Sequence, residues 1–287
     1  MAAVFLAAAL PIGPAGRDPA LLWQEAEAGI RAAASAGAEL VVLPELFAVP
    51  YVAGEDPADW GQLAEAIDGP TASRMRDVAM QCGIAVLFGM ALRGEVGLPF
   101  NAALLARPDG RIEPLAHKIH LPPGEPGARF GETDHFAAGA PEIDAVAIGP
   151  LRVAALICYD RRFPECWRAA AAAGADLVAV LVGGPAPGDP DGLYAAELQA
   201  SARANAVYAV AAARYGTETV TGGPVRHDGE TLAFGPDGAL LARATPGERR
   251  PLLISIDPAR LAGARTTNAT AARLRLPNKP EVASCLN

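Results

Sequence analysis

Val153-Ala154-Ala155-Leu156-Ile157-Cys158-Tyr159-Asp160-Arg161-Arg162-Phe163-Pro164-Glu165 is an apolar run that breaks abruptly into charge. Its apolar part has the length and composition of a buried strand. Pro164 suits the first helical position, where a missing N–H costs nothing, and an Ala-rich run to Ala173 ends at a helix-stopping Gly174. Cys158 is thereby placed at the C-terminal end of a strand, just before a helix N-terminus. Working outward, strand-length runs at 3–10, 39–43 and 84–88 alternate with helix-length segments at 18–36 and 71–82. That alternation indicates an α/β layered fold. Asp18 reads as an N-cap with Pro19 at the first helical position, and Gly37 as the stop.

Turn chemistry at Arg107-Pro108-Asp109-Gly110 joins 101–106 to 111–119 as a hairpin, and Gly235-Pro236-Asp237-Gly238 joins 232–234 to 239–244 in the same way. Each half of the chain thus reads as strand, helix, strand and hairpin, pointing to a two-layer sandwich of related halves. Residues 183–191, crowded with Gly, Pro and Asp after the strand 177–182, form a loop at that strand's C-terminal end, where sites in α/β sheets gather.

The 287 residues are about half apolar (51%), enough for one large domain, and the net charge of −8 disfavours a nucleic-acid track or an anionic membrane surface. Residues 1–15 read as a first buried strand rather than a signal peptide, because no basic residue precedes the apolar run. No uninterrupted apolar stretch of about 18 residues occurs, so no membrane span is expected. Cys82, Cys158, Cys166 and Cys285 lack CxxC spacing and fit free thiols in a reducing cytoplasm.

Three segments carry chemistry-bearing side chains out of apolar surroundings. Arg161, Arg162 and the following helix dipole are expected to favour the thiolate of Cys158, which otherwise reads as a small buried apolar residue. Val41-Val42-Leu43-Pro44-Glu45 delivers a carboxylate at a strand end, where apolar neighbours are expected to raise its pKa toward that of a base. His117-Lys118-Ile119-His120 places a lysine on the last strand of the first hairpin; its alternative reading is an edge-strand lysine that discourages aggregation. Two histidines on one short segment, with no clear third ligand, do not make a metal site, and no metal or cofactor is assigned. No phosphate-binding glycine motif follows the first strand.

Together these segments resemble the nitrilase superfamily of carbon-nitrogen hydrolases: Pro-Glu after one strand, Lys-hydrophobic-His-Leu after a hairpin, and Cys-Tyr-Asp with Phe-Pro-Glu after a third. The likeness extends to Asn101-Ala102-Ala103, Gly174-Ala175-Asp176-Leu177 and Asn205-Ala206-Val207-Tyr208. The resemblance implies a four-layer α-β-β-α sandwich and a homodimer or larger homo-oligomer; residues 1–262 are read as the domain, and the tail at 263–287, Arg-rich and without a clear period, as a candidate arm on a neighbouring subunit. It also implies Glu45 as general base, Lys118 as oxyanion stabiliser and Cys158 as nucleophile. Glu132, in Glu132-Thr133-Asp134-His135-Phe136-Ala137-Ala138-Gly139, matches a supporting glutamate, with Glu125 as the rival. Substrate-facing positions expected are Tyr51, Tyr159, Arg161, Arg162 and Gly183.

The run Cys-x-Asp-Arg-Arg-aromatic-Pro-Glu looks like that of N-carbamoyl amino acid amidohydrolases, where the arginines grip a substrate carboxylate. The alternative is that one arginine pairs with Asp160 or Glu165. A small amide or ureido substrate follows as the expected partner, cleaved through a thioester with release of ammonia. A nitrile-hydrolysing enzyme and a binding protein that has lost turnover are the other readings. The chain departs from the family pattern at Pro50, in lacking a Gln on the first strand, and at Ser201-Ala202-Arg203-Ala204-Asn205, which bears on pocket shape and subunit packing.

Overall fold

The computed structural model describes residues 4–14, 18–52, 54–124, 129–183, 190–221, 223–227 and 229–268. The first half runs β1 (Phe5–Ala9), α1 (Ala20–Ser35), β2 (Leu40–Val42), α2 (Pro57–Trp60), α3 (Pro70–Cys82), β3 (Ala85–Leu92), β4 (Phe100–Ala106), β5 (Ile112–His117) and α4 (Glu132–His135). The second runs β6 (Val146–Ile148), β7 (Leu151–Ile157), α5 (Pro164–Ala172), β8 (Leu177–Val182), α6 (Leu193–Asn205), β9 (Tyr208–Ala213), β10 (Gly216–Val220), β11 (Gly223–His227), β12 (Leu232–Phe234), β13 (Leu240–Arg243), β14 (Leu252–Ile256) and α7 (Pro258–Thr267).

Two six-stranded sheets carry the fold, in the orders β14-β1-β2-β3-β4-β5 and β13-β12-β9-β8-β7-β6. In the first, β1, β2 and β3 are parallel, β14 lies antiparallel on one edge, and the β4–β5 hairpin closes the other. The second repeats this plan, with β7, β8 and β9 parallel, β6 antiparallel on one edge and the β12–β13 hairpin on the other. The repeat read from the two Pro-Asp-Gly turns is therefore present at the level of whole sheets.

Period-two alternation explains how the layers stack. Phe5, Ala7, Leu40, Val42, Ala85, Leu87, Ala103 and Leu105 join the core shared with β7, β8 and β9. The alternate residues Ala8, Val41, Val86, Phe88, Ala102 and Leu104 pack instead with Leu22, Ala26, Ile30 and Ala33 of α1 and Met75, Val78 and Ala79 of α3. Trp167 and Ala170 of α5 and Leu198 and Ala202 of α6 bury themselves with the second sheet. The result is an α-β-β-α sandwich. A strand buried on both faces loses its polar alternation, which is why β8 reads Leu-Val-Ala-Val-Leu-Val. Ile30 is wholly buried in the outer layer, and its truncation to Ala would cost about 2–5 kcal/mol.

Local differences from the sequence reading have simple causes. Pro19 is the N-cap residue and α1 starts at Ala20, although Asp18 still accepts from the Ala20 N–H at 2.9 Å. β5 ends at His117, so Lys118 lies just past the strand. The polar β10–β11 hairpin, Gly-Thr-Glu-Thr-Val and Gly-Pro-Val-Arg-His, has too little apolar alternation to have been read as strands. The boundary expected at residue 262 falls inside α7; residues 269–287, most of the expected tail, lie outside the described residues. No helix among the described residues is long and apolar enough to cross a membrane.

Candidate active site

The three parallel strands of each sheet end at the same side, and topology brings further residues there. β5 reverses direction twice relative to β3 and so points the same way, which puts Lys118 at the same edge as the end of β2. β4, reversed once, brings its beginning there, with Asn101 paired to Ala91. Glu45 follows β2, Cys158 follows β7, and Gly183 follows β8.

Lys118 is 1% exposed, far from the edge-strand setting of a solvated lysine. Its Nζ donates to Glu45 Oε1 at 2.7 Å and to Glu132 Oε1 and Oε2 at 2.7 and 2.8 Å. Asn101 Nδ2 donates to Glu45 Oε1 at 2.7 Å and reaches Glu132 Oε2 at 3.4 Å. The second oxygen of Glu45 accepts the Gly183 N–H at 2.9 Å, and the Cys158 thiol also hydrogen-bonds this carboxylate. One ammonium thus faces two carboxylates at equal distance, with the thiol on Glu45. Glu125, the rival of Glu132, lies outside the described residues.

The backbone is shaped for this convergence. Cys158 has φ +45° and Leu46, beside Glu45, also has φ +45°, a left-handed conformation that costs a non-glycine residue about 1–3 kcal/mol. At Cys158 the strand turns at once into a 3-10 helix, Cys158–Arg162. Gly89 lets the two chains touch: a Cβ there would meet the Glu45 Cα at 2.5 Å and the Leu46 N at 2.7 Å. Gly183 is equally close, its absent Cβ falling 2.7 Å from the Glu45 carbonyl oxygen. The structure therefore uses Gly183 to hold Glu45.

Burial dominates the electrostatics. Burial alone would raise Glu45, but the Lys118 charge and the hydrogen bonds from Lys118, Asn101 and Cys158 outweigh it and bring its pKa below the usual carboxylate value. The expectation of a raised Glu45 pKa is thus corrected, because the apolar neighbours are overridden by a buried ammonium. Glu132 goes the other way, pushed up to about 7 by burial and then by the like charge of Glu45, against the pull of Lys118. Cys158 is raised to about 11 by burial and by the Glu45 charge, which exceed the help of Lys118 and Arg161. The thiolate expected from the neighbouring arginines is corrected too: the resting group is a thiol.

The arginines are held by a residue the sequence reading did not consider. Arg161 Nε lies 3.3 Å from Glu197 of α6, and Arg162 Nε lies 4.0 Å from the same carboxylate. Neither pairing expected, with Asp160 or Glu165, is the one observed. Arg161 also donates to the Cys158 carbonyl at 3.0 Å and lies over Tyr194, so it braces the turn from a side chain only 3% exposed. Arg162 lies over Tyr159 and is 30% exposed. Asp160 accepts instead from the backbone of Ile119 and His120 and contacts the His120 ring.

Tyr51 stands beside the relay, its hydroxyl pKa raised by burial and by the charges of Glu132, Cys158 and Glu45. A second buried network holds it. Glu218 accepts from the Tyr51 N–H at 3.0 Å, from Arg214 at 3.0 Å and from His227 at 2.7 Å, while the His227 ring packs edge-on to Tyr51. None of Asn101, Glu197, Arg214, Glu218 and His227 was given a site role at the level of sequence. The only signal available was Asn101 next to the hairpin; the rest sit in segments with no motif.

Cys82, Cys158 and Cys166 are free thiols; Cys285 lies outside the described residues. Among the described residues, one side-chain cluster has metal-ligating composition, His120 with Asp160 and Cys166.

The profile of the family described as carbon-nitrogen hydrolase matches residues 6–266. A protein named hydrolase in pqqF 5'region, from Pseudomonas protegens, is 35% identical over 211 residues, covering 72% of this chain and 68% of that relative. The deaminated glutathione amidase of Synechocystis is 34% identical over 251 residues, covering 83% of this chain and 86% of its own length. An amidase of the nitrilase superfamily from Nesterenkonia, known as a crystal structure, superposes with a TM-score of 0.72 at 27% identity, covering 91% of this chain and 94% of that one. A match along nearly the whole described length, reached independently by profile, by sequence and by fold, places the chain in the carbon-nitrogen hydrolase family, an enzyme family of the nitrilase superfamily.

Proposed function

We propose that this chain hydrolyses an amide or N-carbamoyl C–N bond of a small carboxylate-bearing compound through a thioester on Cys158. The observation that carries this reading is the buried relay in which Lys118 bridges Glu45 and Glu132 while Glu45 also meets the Cys158 thiol. Glu45, ionised at rest, takes the thiol proton as sulfur attacks the carbonyl carbon. Because the thiol is raised to about 11, attack and proton removal must go together. Negative charge then develops on the carbonyl oxygen. The Lys118 ammonium answers it, and so does the Tyr159 N–H, since the first N–H groups of any helical turn have no partner within it. The protonated Glu45 returns its proton to the leaving nitrogen, the C–N bond breaks and the thioester remains. Water, deprotonated by Glu45, attacks the thioester; the thiol and a carboxylic or carbamic acid are released, the latter losing carbon dioxide.

Glu132 orients Lys118 and shares its charge. When Glu132 is protonated, Lys118 gives its whole field to Glu45 and weakens it as a base. Glu45 therefore accepts protons best when both carboxylates are ionised. Tyr51, set by Glu218 and His227, lines the substrate side of the relay.

A glutamate-to-glutamine variant of the Nesterenkonia amidase adds acrylamide at its active-site cysteine, which supports a cysteine role at the matching strand end here. The carboxylate preference rests on Arg162, the more exposed guanidinium beside the nucleophile, since planar forks suit carboxylates. The test is ammonia release from a panel of ω-amides, N-carbamoyl amino acids and their neutral analogues, by the wild type and by Cys158→Ala. Turnover lost by roughly a thousandfold or more in the variant is expected; near-normal turnover would overturn the mechanism, and equal rates on neutral analogues would overturn the carboxylate preference.

A further inference from the structure

His120 lies two residues beyond Lys118 and Asp160 two beyond Cys158, and they meet near Cys166 of α5. His120 Nδ1 is 2.9 Å from Asp160 Oδ1 and 3.8 Å from Cys166 Sγ, and all three ligand atoms lie within 4.8 Å of one another. A ring nitrogen has one in-plane position, either a proton to give or a lone pair to receive one. Two neighbours converge on it here, so a hydrogen bond can serve only one of them.

Each of the three groups is already fixed. The His120 ring stacks on Phe163 with centroids 3.5 Å apart and planes 7° from parallel, which sets the direction of Nδ1. Asp160 is oriented by the backbone N–H groups of Ile119 and His120, at 3.3 and 2.9 Å. Cys166 is carried by the helix that Pro164 opens. Asp160 and Cys166 are 2% and 4% exposed, while the His120 side chain is 32% exposed and gives solvent a way in.

We propose that His120, Asp160 and Cys166 form a binding site for a thiophilic divalent transition-metal ion of the zinc type, separate from the catalytic relay. Nitrogen, carboxylate oxygen and sulfur are the donors such an ion prefers, and three protein ligands leave a fourth position for water. Tetrahedral zinc, with bonds of about 2.0–2.3 Å, sets its ligand atoms roughly 3.3–3.6 Å apart. The two separations at Nδ1 differ from that by only a few tenths of an ångström. On binding, the Cys166 thiol gives its proton to solvent and Nδ1 presents its lone pair, so no redox partner is needed. The ion would tie the segment carrying Lys118 to the turn carrying Cys158.

The test uses the full chain with Cys158→Ala, which removes the nucleophile as a competing thiol and leaves the proposed ligands intact. Cobalt(II) is titrated and the thiolate-to-cobalt charge-transfer band followed in the near ultraviolet, with zinc added to displace it. One cobalt per chain, a band that zinc abolishes, and loss of that band in Cys158→Ala/Cys166→Ser are expected. Cys158→Ala/His120→Ala alters a part-exposed side chain and keeps the thiol; its affinity should fall by more than the roughly 10–100-fold that follows loss of an outer-shell partner. No band in Cys158→Ala overturns the proposal. So does a band unchanged by Cys166→Ser, which would belong to Cys82 or Cys285, or an affinity unchanged by His120→Ala.

Discussion

Replacing Asn101 by Leu tests whether the two glutamates titrate as one unit around Lys118. Asn101 is wholly buried, donates to Glu45 at 2.7 Å and to Glu132 at 3.4 Å, and its Oδ1 has no hydrogen-bond partner. Leucine fills a similar volume, removes the donor and leaves no orphaned acceptor. A hydrogen bond to a charged group contributes about 1.5–3 kcal/mol. At 1.36 kcal/mol per pKa unit this is roughly one to two units of upward shift, shared by the pair. In the wild type the acid limb of kcat/KM should fall at about 7, where Glu132 titrates. In Asn101→Leu it should move up by roughly one to two units, so that at pH 6 the rate drops about ten- to a hundredfold while the alkaline plateau is largely kept. Ammonia release measured from pH 5 to 9.5 decides it. A limb that stays in place while the plateau falls evenly would mean that Asn101 only packs, and the coupled-pair account would be refuted.

Glu132→Gln should shift the same limb down, because Lys118 then acts on Glu45 alone, and kcat should fall as Lys118 loses its bidentate partner. The stability sign is also fixed: a folded pKa raised from 4.5 to about 7 stabilises the fold below the unfolded value and loses that contribution as pH rises through 7. The difference between variant and wild type in urea unfolding should therefore move in the variant's favour from pH 4 to pH 8, and a constant difference would contradict it. Gly89→Ala must push the Glu45 backbone aside, since all three nearest atoms are backbone, and a displacement near 1 Å is enough to lower turnover about a hundredfold; full activity would contradict the close approach. Glu218→Gln strips the counterion from buried Arg214 and loosens Tyr51, so unfolding free energy should drop by about 3–5 kcal/mol, with KM rising more than kcat falls. An unchanged KM would remove Tyr51 from the substrate side.

The layered fold was readable because its strands and helices differ in apolar period. The repeat showed because the two hairpins use the same Pro-Asp-Gly turn. Glu45, Lys118 and Cys158 were readable as polar residues at the ends of apolar runs, a pattern that topology then gathers at one edge. Their protonation was not readable, because the sign for Glu45 and Cys158 depends on a three-dimensional balance of burial against one ammonium. Arg161 and Arg162 were visible as charges, but their partner Glu197 lies on α6, thirty-five residues or more along the chain, with no local mark. The β10–β11 hairpin was invisible because its strands are polar, yet it carries Glu218 and His227 behind Tyr51.

The division of labour between the halves gives the site its electrostatic character. The first half contributes Glu45, Asn101, Lys118 and Glu132, a cluster with two carboxylates and one ammonium that carries net negative charge when both acids are ionised. The second contributes the thiol and the N–H of Gly183, and no carboxylate to the relay. A thiolate formed at rest would add a second uncompensated negative charge beside that cluster, and burial makes such an addition costly. In the proposed mechanism the proton on Cys158 is therefore retained until a substrate carbonyl arrives to take the electron pair that sulfur releases, and its transfer to Glu45 leaves the charge of the cluster and the new oxyanion facing Lys118 together. On the proposed mechanism, Cys158 is held as a thiol, the form less reactive toward oxidants, until an acyl group is in place.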